Sequence, residues 1–137
     1  LVMAISLTSY DSSKKHEKIY YVNYNRRGQS VLSFNSIFAS NSEDALLTLV
    51  NNKIESLADD EGMPLHKATR LSANVYARKR GIFFVYQAGE IADESEGMIE
   101  IFLSFKALQK HLTSSFQALV SENGDYQEYK PITFKQG

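Results

Sequence analysis

The residues of this chain that could do chemistry are few and dispersed. Four carboxylates, Glu90, Asp93, Glu94 and Glu96, crowd a stretch bounded by Gly89 and Gly97. Clustered carboxylates suit a hard cation. These lack the alternating ligands, central glycine and closing glutamate of a calcium loop, so the stretch reads as a solvated acidic loop. Asp59-Asp60-Glu61 reads the same way, as the solvated end of a helix. The three histidines, His16, His66 and His111, are too far apart for a local metal motif, and no H-E-x-x-H occurs. His16 and Glu17 are adjacent, so on a strand they point to opposite faces and cannot pair as base and orienter. The chain has no cysteine, which removes disulfides, thiolate zinc sites and cysteine nucleophiles together. It also lacks a G-x-S-x-G elbow, a phosphate-binding glycine loop and a dinucleotide fingerprint. The expectation is therefore no catalytic residue, no metal ligand and no cofactor.

What remains is recognition chemistry, concentrated in Arg78-Lys79-Arg80-Gly81-Ile82-Phe83-Phe84-Val85-Tyr86, a basic turn feeding an apolar and aromatic strand. With Gln87 it partly resembles the signature of the RNA-recognition motif, which it meets at Arg80, Gly81, Phe84 and Val85 and misses at Ile82, Phe83 and Gln87. Residues 19–24 faintly resemble the companion motif through Ile19, Tyr20 and Asn23. The resemblance implies aromatic rings stacking bases while Arg26, Arg27, Arg78, Lys79 and Arg80 hold phosphates. The competing reading makes the aromatics core and the cations a solvated hairpin tip. With 15 basic against 16 acidic side chains the net charge is −1, so no global field draws the chain to nucleic acid. Single-stranded RNA binding thus stands as the alternative function, and a small enzyme without local motifs as a second alternative.

These residues need a scaffold. A chain of 137 residues, 43% hydrophobic and 23% charged, is one ordinary soluble domain. No apolar run approaches the roughly 18 residues that span a bilayer. Residues 1–7 are apolar but lack the basic start of a signal peptide, and residues 9–15 are polar without period. The division expected is a flexible lead-in over residues 1–15 and a single domain over residues 16–137, in the cytoplasm.

Along that domain, residues 19–24 form a β-branched and aromatic strand, and Gly28 supports a hairpin to a second strand over residues 31–38. A helix starts at Ser40 or Ser42 and carries Leu46, Leu49, Val50, Ile54 and Leu57 on one stripe until Gly62-Met63-Pro64. Residues 71–78 alternate as a half-buried strand, whereas residues 82–87 are apolar on both parities, as a central strand is. Residues 98–103 make another strand, and Phe105, Leu108, Leu112, Phe116, Leu119 and Val120 a second helix. The last strand, residues 126–134, contains Pro131 and so belongs at an edge. The order β-β-α-β-β-β-α-β specifies an α+β domain, mainly antiparallel sheet with two helices packed on it, with a ferredoxin-like variant among its arrangements.

The leading functional reading is a small non-catalytic binding or regulatory protein of accessory, inhibitor or immunity type. Its partner would be another protein or a second copy of itself, as a homodimer, rather than a membrane. Eight tyrosines support it, because tyrosine buries ring area while keeping its hydroxyl satisfied. The expected surface comprises Tyr20, Tyr24, Tyr76, Tyr126 and Tyr129 with Arg26, Arg27, Arg78, Lys79 and Arg80.

Overall fold

The computed structural model describes residues 2–10, 17–26, 28–121 and 132–136. Among these residues, seven strands divide between two sheets. The first has the order β3-β2-β1-β7, from β1 (Val2–Tyr10), β2 (Glu17–Asn25), β3 (Ser30–Leu32) and β7 (Ile132–Gln136). Its pairings are antiparallel except for β1 with β7, which run parallel. The second is the antiparallel meander β4 (Val75–Arg78), β5 (Gly81–Tyr86) and β6 (Ile99–Ser104). The α+β class expected from the element order is the class observed.

The described strands do not join in a single ferredoxin-like sheet, and two asparagines occupy the joint between the two they form. Where β2 crosses the open edge of β4 there is no ladder. Instead Asn23 Nδ2 donates to the Val75 carbonyl at 2.8 Å while its Oδ1 accepts from the Ala77 amide at 2.9 Å. Asn74 returns the arrangement, accepting from the Tyr21 amide at 2.8 Å and donating to the Ile19 carbonyl at 2.7 Å. Each side-chain amide thus satisfies one donor and one acceptor of the facing backbone, which a sheet edge otherwise leaves open. The sheets meet at a corner rather than continuing.

The central-strand reading of β5 holds. Ile82 and Phe84 are fully buried, and Tyr86 and Val85 on opposite faces are each 1% exposed. One face of this sheet shares a hydrophobic core with four helices among the described residues: α1 (Phe34–Ile37), α2 (Glu43–Glu61), α3 (Phe105–Leu108) and α4 (Ser114–Ser121). α2 is the helix its apolar stripe specifies. Leu46, Val50 and Ile54, spaced four apart, are buried in the same core as Ile82, Phe84 and Ile101, and Gly62 closes it at φ 65°. Asn51 fastens α2 to the following loop, exchanging both amide bonds with the Ala68 backbone.

Three expectations are corrected. Residues 1–15 are not simply a lead-in, because Val2–Tyr10 is a strand inside the first sheet. Its buried positions Val2, Ala4 and Ser6 are small and one is polar, so the alternation is of size and escapes a hydrophobicity pattern. The second strand covers only Ser30–Leu32. Ser33 and Ser36 then form a reciprocal capping box that turns the chain into α1. The second helix is broken at Leu112-Thr113. There Phe38 bridges Leu112, the Thr113 amide donates to the Ile37 carbonyl, and the Thr113 hydroxyl donates to the Ser36 carbonyl at 2.7 Å. The edge position expected for Pro131 lies outside the described residues.

Candidate functional site

The face of β4–β6 turned away from the helices carries Tyr76 and Arg78, Phe83 and Val85, and Glu100 and Phe102. Register aligns Tyr76 with Phe83 and Phe83 with Phe102. Tyr21 from β2 completes a row of four rings. Centroids are 4.1 Å apart for Tyr21–Tyr76, and 4.9 Å for both Tyr76–Phe83 and Phe83–Phe102. The Arg78 guanidinium lies 5.0 Å from the Tyr76 centroid, in cation–π range.

Cover over this row is uneven. Tyr76 and Val85 are buried with Ala4 of β1, whereas Phe83, Met98 and Phe102 stay half-buried and Glu100 is exposed. The first sheet therefore covers the β4 side and leaves apolar rings accessible toward β6. Phe102 also lies over Gly81, the partner of Ser104 across the ladder.

Two phenols anchor the carboxylate at the rim. The Tyr76 hydroxyl donates to Glu100 Oε2 at 2.8 Å, and the Tyr21 hydroxyl donates to Oε1 at 3.4 Å. Burial, followed by the adjacent Glu100, pushes the Tyr76 phenol well above its ordinary range, and Tyr21 is raised for the same reasons. The folded protein thus keeps protons that the unfolded chain releases near pH 10. Stability from this source is insensitive to pH below about 10 and falls as pH rises further. Ultraviolet titration should accordingly show Tyr76 ionising only as the protein unfolds. Smooth ionisation of all eight tyrosines near pH 10 with the fold intact would contradict the arrangement.

The expected surface is brought together only in part. Tyr76 and Arg78 share the face, and Lys79 and Arg80 are exposed at the β4–β5 turn. Tyr20 and Tyr24 do not join them. Strand alternation places them on the opposite side of β2 from Tyr21, Tyr20 45% exposed and Tyr24 half-buried. Arg26 is exposed at the far end of β2, while Arg27, Tyr126 and Tyr129 lie outside the described residues. Sequence reasoning missed Tyr21, Phe83, Glu100 and Phe102 as surface residues. The alternation of residues 98–103 did set Glu100 and Phe102 opposite Ile99, Ile101 and Leu103.

Other chemistry-bearing residues are spent locally. Asp93 accepts from the Ser95 amide and hydroxyl, which holds its carboxyl below the usual range, and Glu90 pairs with Arg70 at 2.5 Å. His66 is exposed, His111 half-buried, and His16 outside the described residues. Among the described residues no three His, Asp or Glu side chains converge to hold a metal. Nor is any helix among them long and apolar enough to cross a membrane. A groove of about 560 Å³ at the joint is lined by Lys18, Tyr20, Arg70, Asn74, Gln87 and Glu90. The Asn74 amide and Gln87 Nε2 are already committed to the Ile19 and Tyr21 backbone. Among the described residues Gln87 Oε1 is buried without a hydrogen-bond partner.

The arrangement of two sheets and helices recurs in solved structures. A member of the DUF3298 family from Bacteroides fragilis matches 90% of this chain with a TM-score of 0.69 at 22% identity. The fold is shared with DUF3298 proteins. A second DUF3298 family protein, from Pseudomonas aeruginosa, matches 74% of the chain with a TM-score of 0.58 at 19% identity. This chain spans about half of those proteins, 52% and 49% of their lengths. No family model and no curated protein matches the chain. At these identities the likeness to DUF3298 proteins is one of fold.

Proposed function

We propose that this chain is a non-catalytic protein-recognition module, of accessory, inhibitor or immunity type, that binds through the β6 side of its aromatic sheet face. The observation that carries the reading is the half-buried Phe83–Phe102 pair. Helices cover one face of this sheet and β1 with β2 cover part of the other, yet two phenylalanines and Met98 remain accessible. Aromatic and methionine side chains around a charged rim are the composition of an interface centre. The rim here is Arg78 and Glu100, each held in place by the ring row.

The groups with raised pKa among the described residues are tyrosines kept neutral by burial, Tyr21, Tyr76 and Tyr86. They donate hydrogen bonds at neutral pH and are poorly suited to proton transfer there. The RNA reading draws little support from the fold. Phe84, the ring its signature would stack on a base, has no exposed surface.

Photo-crosslinking tests the proposal. Benzoylphenylalanine at Phe83 or Phe102, in cells of the source organism, is expected to capture protein. The same group at Lys53 on α2 should capture far less. Equal capture at both places would sink the reading. Salt-sensitive binding of single-stranded RNA, lost in Arg80→Glu, would replace it with the alternative.

A further inference from the structure

We infer that the partner at this face is a second copy of the chain, joined by antiparallel pairing of β6 with β6. This names the occupant of the face proposed above and rests on that reading. β6 is the outer strand of its sheet, and no strand among the described residues pairs with its free edge. The bond from the Phe105 amide to the Arg80 carbonyl at 2.9 Å fixes which backbone groups face which way. In that register Ile99, Ile101 and Leu103 bond to β5, and Glu100, Phe102 and Ser104 turn their amides and carbonyls outward. Outer strands are commonly blunted by lysine, proline, bulges or shortness. β6 has six residues and none of the first two.

Charge selects a second copy in antiparallel order. The loop entering β6 carries exposed Asp93 and Glu96, and the strand itself Glu100. The other end adjoins the β4–β5 turn, through the Gly81–Ser104 and Arg80–Phe105 contacts, where Lys79, Arg80 and Lys106 are exposed. The strand thus runs from an acidic end to a basic end. A two-fold axis at Phe102 sets Phe102 against its counterpart and Glu100 against Ser104. Each acidic end then lies beside the other copy's basic end. Parallel pairing would set like charges together. The basic turn and acidic loop acquire one shared role in orienting the pair.

Sedimentation equilibrium decides it. The unmodified chain should sediment at twice its 15.5 kDa mass, with dissociation promoted by salt. Phe102→Lys, which sets two ammonium groups against each other, should sediment as a folded single chain. In case that variant fails to fold, charge reversal at exposed positions supplies a second arm. Lys79→Glu with Arg80→Glu should weaken association about tenfold, as should Asp93→Lys with Glu96→Lys, and combining all four should restore it. A single chain at every concentration would overturn the inference, as would a dimer indifferent to Phe102→Lys, or to both charge reversals. The cross-linking at Phe83 would still report separately on the binding face.

Discussion

Asn23→Ala is expected to destabilise the fold by about 3 kcal/mol, because it strands a buried carbonyl and a buried amide together. Asn23 is 3% exposed and its amide is spent on Val75 and Ala77. Asn23→Asp should be no milder, since a carboxylate cannot donate to the Val75 carbonyl and would sit buried beside it. Asn74→Ala removes the reciprocal pair at a half-buried position and should cost less. Urea unfolding read by circular dichroism measures all three. A loss below about 1 kcal/mol for Asn23→Ala would show that the corner is held by packing instead.

Gly81→Ala should be of similar size, about 3 kcal/mol, for a steric reason. A methyl group there would lie 2.2 Å from the Leu103 carbonyl oxygen and 2.7 Å from the Phe102 ring. The first is ladder backbone, which cannot retreat without breaking β5–β6 pairing; the ring could swing aside. The substitution should therefore lower the melting temperature by about 10 °C and loosen β6, the strand that presents the binding face. Phe102→Ala in the same chain would relieve only the ring contact and should not rescue it. Full rescue would mean the ring, and not the strand spacing, demands glycine at this position.

These two positions also mark how far the sequence was legible. β5 and α2 could be read because their burial is expressed as hydrophobicity, at both parities in one case and every fourth residue in the other. Asn23 and Asn74 could not. An amide that joins two sheets is indistinguishable in a sequence from a polar residue facing water. β1 was hidden because Val2, Ala4 and Ser6 face inward through small size. The break at Leu112-Thr113 was hidden because Leu108, Leu112 and Phe116 keep a helical period across it. Tyr76, Arg78 and the basic turn, singled out by composition, do lie on or beside one sheet face. Tyr20 and Tyr24 were grouped with them because no sequence says which strands share a sheet. Tyr21 was missed for the same reason, being brought to Tyr76 only by the corner.

The central claim, that the chain works through β6 and the rings beside it, is tested most directly by amide hydrogen exchange on the unmodified protein. The amides of Glu100, Phe102 and Ser104 point away from the sheet, so in a lone chain they exchange quickly. They should become protected as concentration rises, while the Ile101 and Leu103 amides, bonded to β5, stay protected throughout. Fast exchange at Glu100 and Phe102 at every concentration, with the sheet otherwise intact, would contradict it.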